Sequence, residues 1–298
     1  MDIIIWSLIS IAGLCFGSFI NVLIHRTQTG ESILFPPSKC PKCDVPLLWW
    51  QNIPLFSYFY LNGRCYYCNK IISIQYPIVE FLGLLLFIFA FSAYKSIVDA
   101  VCVIGILSLF FVQSVIDVRI KKLSTLQSII IAGLGIVFNR YDIVSSIGGM
   151  LLGAFIIWAI KTLSQKYLSA ETFGTGDIFL FAALGSIVCF DKIFLYMFYA
   201  FLLQIAIYLP VRWKFLKEHS ETLPKYLKIF GITCLFLYII KNREFWGESL
   251  IYVLSLGVLL YSAYYLVKEL LKILNDTETT QYCALAPAIA LACLIFLI

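Results

Sequence analysis

The sequence predicts an all-α fold: a polytopic integral membrane protein of about eight to ten transmembrane helices with one cysteine-rich polar loop. Three observations predict it. Of the 298 residues, 61% are hydrophobic and only 13% charged, against about half and about a quarter in a soluble domain. Apolar runs approaching the roughly 20 residues that a bilayer-spanning helix needs recur along the chain. Four of the ten cysteines, Cys40, Cys43, Cys65 and Cys68, gather in the longest polar stretch, while the others lie singly in or beside apolar segments, where a thiol behaves as a small hydrophobe. The net charge of +5 is modest and sits in loops. That suits an anionic membrane face, and with no continuous basic stripe it excludes nucleic acid as a partner.

Taken in order, the expected spans are 3–24, 77–94, 98–116, 124–138, 143–163, 177–190, 192–210, 227–240, 248–267 and 281–298. The first lacks a basic leader and a small-residue cleavage site, so it is expected to remain as a true span. No internal repeat and no low-complexity linker stands out. The expected organisation is a first helix (1–24), a loop domain (25–76), a membrane core (77–210), an inserted segment with two extra apolar helices (211–280) and a final helix (281–298). Lys and Arg are concentrated on one set of alternate loops, with Arg119, Lys121, Lys122, Arg212, Lys214 and Lys217 among them. The opposite set has only Lys95, Arg140, Lys192, Lys241 and Arg243. This bias predicts an outside N-terminus, with the cysteine loop in the cytoplasm.

Cys40-Pro-Lys-Cys43 and Cys65-Tyr-Tyr-Cys68 are two Cys-x-x-Cys knuckles. Each offers two thiolates from one tight turn, and together they complete a tetrahedral four-sulfur site for structural zinc, which makes the loop zinc-ribbon-like. Redox-active or metal-free thiols are the alternative; a reducing cytoplasm disfavours disulfides. Pro77 suits the first turn of the second span. Glu80, one turn further in, reads either as an interfacial anion favoured by the helix dipole or as a carboxylate lining a substrate entrance.

Asp117 and Asp177 sit at the edges of apolar segments, where an acid is costly and points to function. Gln113 and Ser114 share the helix face of Asp117, so that face is expected to turn inward. Asp177 closes Gly174-Thr175-Gly176-Asp177. Gly174 and Gly176 permit unusual backbone conformations and close approach of another chain, and the first helical turn favours the anion of Asp177. Brought together, two such acids form a hydrolytic pair that shares one proton, one polarising a scissile carbonyl while the other activates water. The alternatives are solvated helix ends paired with nearby Lys or Arg, a proton or cation relay in a transporter, and a presenilin-type intramembrane protease.

With the motifs assembled, the sequence resembles the type IV prepilin peptidase family. The resemblance is carried by Gly17-Ser18-Phe19-Ile20-Asn21-Val22 with Arg26, by the knuckles with Gln51-Asn52-Ile53-Pro54 and Gly63-Arg64-Cys65, by Tyr76-Pro77-Ile78-Val79-Glu80, and by Ile116-Asp117 with Gly174-Thr175-Gly176-Asp177. Ala286-Pro287-Ala288-Ile289-Ala290 is a weak match to the family's last-span Gly-Pro motif. The resemblance implies an aspartyl endopeptidase of the bacterial inner membrane with Asp117 and Asp177 as its catalytic pair. Such an enzyme cuts basic leaders from prepilins or type II secretion pseudopilins after a Gly on the cytoplasmic side. It further implies methylation of the new N-terminus by S-adenosylmethionine, zinc on the four cysteines, and Gly63, Arg64 and Glu80 as candidate methyl-transfer or substrate contacts.

Two departures stand out. The family's Leu-Pro-Asp after the first catalytic Asp reads here Leu123-Ser124-Thr125, where Ser124 is expected to cap the next helix. The extra segments between about 215 and 280 are even in number, which preserves the orientation of the final helix.

Overall fold

The computed structural model describes residues 2–32, 35, 37–168, 173–219, 225, 228–229, 232, 261 and 284–297. Among them the regular structure is helical, with two isolated antiparallel bridges, Lys39 to Pro46 and Arg64 to Ile71. The helices are α1 (Asp2–Thr29), a 3-10 turn (Trp49–Asn52), α2 (Phe56–Tyr60), α3 (Gln75–Ala93), α4 (Ile97–Ile120), α5 (Thr125–Phe138), α6 (Ile143–Leu168), α7 (Thr175–His219) and α8 (Ala286–Leu297). Among the described residues α1, α3, α4, α6 and α7 are long and apolar enough to cross a membrane, and α5 and α8 are shorter apolar helices. Large apolar side chains such as Leu8, Ile11, Leu151, Phe155 and Trp158 stand exposed on helix flanks, as lipid contact requires. The protein is a multi-pass membrane protein.

The chain forms two compact units, Met1–Gln204 with Ala284–Ile298, and Ile205–Cys283. The expected spans 227–240 and 248–267 lie outside the described residues. Within the first unit several helices outlast their apolar runs. Residues 25–29, expected in the loop, continue α1, which ends only where Gly30 takes a φ of 74°. Likewise α4 continues to Ile120 and carries Asp117 inside the helix instead of at its end.

The residues of α7 are two antiparallel segments, not one long rod. Cys189, with φ 63° and ψ 174°, interrupts the helix. A Cβ placed on Gly149 of α6 would lie 2.4 Å from the Gly185 carbonyl and 2.7 Å from the Cys189 backbone. One turn further along α6, a Cβ on Gly153 would lie 2.5 Å from the Phe181 carbonyl and 3.6 Å from Ile193. Moving along α6 therefore runs backwards along the first segment and forwards along the second, so the chain reverses at Cys189. Phe181 stacks on Phe201 at 5.7 Å across the reversal. Asn139 donates to the carbonyls of Ser186 (2.9 Å) and Ile187 (2.7 Å), and Ser146 donates to Ser186 (2.6 Å). These bonds satisfy carbonyls that the interrupted helix leaves without partners. The reversal matches the separate spans expected at 177–190 and 192–210.

Close packing at glycine fixes α1 against α3. A Cβ on Gly17 would lie 2.6 Å from the Glu80 Cα, and one on Gly83 would lie 2.5 Å from the Gly13 carbonyl. Small residues one turn apart let membrane helices approach at backbone distance, where dispersion contacts hold them. This contact registers the inner parts of α1 and α3, and Asn21 adds a hydrogen bond to the Tyr76 carbonyl at 3.1 Å. The centre of the unit is α4, which touches α1, α3, α5 and α8 and buries Val103, Ile106, Phe110 and Val112 completely.

Replacing Gly83 with Val should destabilise the protein by about 1–3 kcal/mol through overpacking, read as a lowered thermal midpoint in detergent. Gly133→Ala, where an added Cβ meets nothing within 4 Å, should leave the midpoint unchanged or raised.

Candidate active site

The end of α4, the starts of α5 and α7 and the start of α8 carry the acidic centre. Asp117 is fully buried and Asp177 is 1% exposed. Asp117 Oδ2 accepts a hydrogen bond at 3.0 Å from the backbone N–H of Ala286, the residue that opens α8. The first N–H groups of a helix have no partner within it and carry the positive end of its dipole, so α8 aims a donor and a favourable field at this carboxylate. Pro287 follows at no cost, because a proline is tolerated in the first turn. The other oxygen, Asp117 Oδ1, is buried and makes no hydrogen bond among the described residues.

Asp177 is the third residue of α7, and its Oδ2 accepts from the Gly174 N–H at 2.8 Å. This is the acidic half of a capping box, in which the third helical residue reaches back to the residue before the helix. Gly176 lies against the α4–α5 connection: a Cβ there would be 2.8 Å from the Leu123 Cβ. Close approach, and not an unusual dihedral, accounts for Gly176, since neither it nor Gly174 takes a positive φ. The start of α7 is thereby pressed against the link that leaves α4 just beyond Asp117.

Gln113, expected on the inward face, is buried and donates from Nε2 to the Ser124 carbonyl and the Ser128 hydroxyl, each at 3.0 Å. It ties α4 to the start of α5. Ser114 bonds back to the Phe110 carbonyl of its own helix at 2.7 Å, so it contributes nothing across the site. Ser124 caps α5 as expected, accepting from the Gln127 N–H at 3.4 Å. Arg119 does more than anchor a loop: its guanidinium hydrogen-bonds the Gln75 side chain at the start of α3.

The four cysteines converge. Their sulfurs all lie within 4.8 Å of one another, with Cys40 and Cys68 at 4.0 Å. Four thiolates at about 2.3 Å from a central tetrahedral ion stand roughly 3.8 Å apart, so the donor set fits such an ion. The knuckles are two copies of one turn: the Cys40 N–H donates to Val45 as that of Cys65 does to Lys70, and the Asp44 N–H returns to Cys40 as that of Asn69 does to Cys65. Asp44 and Asn69 both take a left-handed φ, 55° and 57°. A short structural repeat thus exists where the sequence showed none, because only the cysteines and backbone are common to the copies. The Cys68 and Tyr67 N–H groups bring the Cys65 thiol down to about 7, while burial and the neighbouring sulfurs push Cys43 up to about 11.

A cavity of about 500 Å³ lies between α1, the start of α3 and the cysteine loop. Glu80 lines it, with Oε2 accepting the Leu55 N–H at 2.8 Å. That bond fastens the loop to the helices. Gly63 takes a φ of 66° against the Tyr58 ring, while Arg64 is exposed. Neither of these two lines the cavity.

Residues 11–94 match the family model of the bacterial peptidase A24 N-terminal domain, and residues 104–209 that of the type IV leader peptidase family. A prepilin leader peptidase/N-methyltransferase of Klebsiella pneumoniae is 31% identical over 190 residues, 60% of this chain and 83% of the relative. One of Vibrio cholerae serotype O1 is 31% identical over 205 residues, 63% of this chain and 79% of the relative. Another, of Myxococcus xanthus, is 33% identical over 180 residues, covering 59% and 54%. No solved structure matches the chain.

The sulfur geometry leads to one bound metal ion per chain, measurable by elemental analysis of the purified protein. Cys65→Ser should lose it, and a folded wild-type preparation with far less than one equivalent would rule the site out.

Proposed function

The chain belongs to the type IV leader peptidase family, and from that premise we propose that Asp117 and Asp177 are its hydrolytic pair, at the cytoplasmic face of the bacterial inner membrane. The enzyme processes type IV prepilins: it is a leader peptidase with N-methyltransferase activity. What carries the assignment of the pair is the state of the two carboxylates. Both are buried at one end of the bundle, each held through Oδ2 by a backbone N–H at a helix start, from Ala286 and from Gly174.

In the proposed reaction the pair holds one proton between its two acids, because like charges at close range do not both persist. The ionised acid takes a proton from water as the oxygen attacks the scissile carbonyl, and the protonated acid donates to that carbonyl. Collapse of the tetrahedral intermediate expels the new N-terminal amine, which takes up a proton, and the pair returns to its starting state. The Ala286 and Gly174 donors fix one oxygen of each acid, so little reorganisation is needed as charge moves. The buried Oδ1 of Asp117 is the edge we assign to water and substrate.

The substrate is a precursor whose basic leader lies in the cytoplasm and whose apolar helix lies in the bilayer, so the bond to be cut reaches the interface beside these helix ends. Zinc fits the four cysteines as a closed structural site with no open position for catalysis. It would hold the loop against α1 and α3. S-adenosylmethionine, when bound, would supply an electrophilic methyl for the newly exposed amine and leave as S-adenosylhomocysteine. A relay of protons or cations would place its acids near the bilayer midplane in broken helices. Here Asp117 lies in the last turn of α4 and Asp177 in the first turn of α7, and family membership favours hydrolysis.

Mixing the purified protein with a prepilin in detergent should give the mature pilin. Asp117→Asn and Asp177→Asn should each slow cleavage by at least about a thousandfold, with bound metal unchanged. With S-adenosylmethionine present, the mature N-terminus should gain one methyl by mass. Cleavage that survives either substitution would remove that residue from the pair.

A further inference from the structure

Two acceptor oxygens on the buried face of α4 stand one helical turn apart. Gln113 is 1% exposed and Asp117 is wholly enclosed. Gln113 Oε1 and Asp117 Oδ1 are both buried, and neither has a hydrogen-bond partner among the described residues. Buried polar atoms are nearly always paired in native proteins. Two bare acceptors on one helix face, beside the reacting centre, call for a single donor that serves both.

The amide of Gln113 is not free to turn. Its Nε2 donates to the Ser124 carbonyl and to the Ser128 hydroxyl, each at 3.0 Å. A carbonyl only accepts, so it fixes which end of the amide carries the hydrogens. The Ser128 hydroxyl donates to the same Ser124 carbonyl at 3.4 Å, which leaves its oxygen to receive Gln113. The Asp117 carboxylate is pinned in the same manner, through Oδ2 and the Ala286 N–H at 3.0 Å. Each group is therefore held at one end and offers an oxygen at the other. Positions four apart on a helix bring their Cβ atoms within about 5–6 Å, and a water making two hydrogen bonds of about 2.8 Å spans acceptors at that separation. An amide oxygen also accepts a hydrogen bond without competing for the proton.

From this geometry we propose that Gln113 positions the attacking water. One hydrogen of that water goes to Asp117 Oδ1 and the other to Gln113 Oε1, which leaves an oxygen lone pair for the scissile carbonyl. Asp117 is then the ionised acid of the pair and Asp177 the protonated one. As the new C–O bond forms, one water proton passes to Asp117 Oδ1 and Asp177 gives its proton to the carbonyl oxygen. The hydrogen held by Gln113 stays on the attacking oxygen. The inference rests on the hydrolytic-pair reading above and adds a third group to it.

The test is single-turnover cleavage of a prepilin by excess enzyme in detergent, with the saturated rate and the half-saturating enzyme concentration read separately. Gln113→Met, of similar length and without the amide, should slow the saturated rate by about a hundredfold. Half-saturation should stay within about twofold of the wild type, because the loss falls on chemistry and not on binding. Gln113→Leu should behave alike and carries the test if the methionine variant lacks a cooperative thermal transition. Ser128→Ala, which loosens α5 and spares Oε1, should keep at least about a third of the wild-type rate. A folded Gln113 variant that cuts at the wild-type rate overturns the proposal. So does a Ser128 variant that loses as much as the Gln113 variants, because the tie between helices then accounts for the effect. If Asp117→Asn still cleaves at the wild-type rate, the hydrolytic-pair reading itself falls, and this proposal with it.

Discussion

Burying two carboxylates within a bundle of apolar, membrane-spanning helices is the constraint around which the rest of this structure is arranged. Neither Asp117 nor Asp177 meets bulk solvent, and an acid in that position persists only where donors and dipoles replace water. The chain provides both through helix starts. The first N–H of α8 serves Asp117 and the Gly174 N–H ahead of α7 serves Asp177. These donors belong to the backbone, so they survive changes of side chain as long as the helices begin where they do.

Around that centre, α4 joins the two sides of the first unit. Its inner face presents Asp117 to α8 and Gln113 to α5, and Arg119 at its end reaches Gln75 of α3. The glycine contact between α1 and α3 sets the other half, holding Glu80 where it accepts the Leu55 N–H. The cysteine loop is then tied to the membrane helices through Glu80 at one point and closed on itself by the four sulfurs. The buried acid Asp117 and the cavity-lining Arg119 thus stand on the last turns of the same helix, α4.

Much of this was legible in the sequence, for reasons that differ by element. Among the described residues hydropathy located the apolar helices, even the reversal near Cys189, because an uncharged run too long for one crossing and broken by Asp191 and Lys192 reads as two. Helix ends were less legible: α1 and α4 continue past their apolar runs because nothing polar there breaks a helix, so His25, Arg26 and Asp117 are helical. The cysteine spacing gave the four-sulfur cluster directly. The Ala286 donor was invisible, since a backbone N–H leaves no mark on residue type beyond a weak Ala-Pro match. Of the two uses the sequence offered for Gly176, dihedral freedom and close approach, packing against Leu123 selects the second. Asn21 and Gln51, quoted only within wider motifs, carry buried amide atoms without partners among the described residues.

The central claim is that Asp117 and Asp177 act as one unit sharing a proton, and a double-mutant cycle tests it most directly. Single-turnover cleavage of a prepilin by excess enzyme would be compared for the wild type, each Asn variant and the double variant. The account predicts strong non-additivity, with the double variant no slower than the worse single one, because removing either acid already disables the pair. Multiplicative losses, with the double variant slower by the product of the two single effects, would mean that the acids act independently and would contradict it.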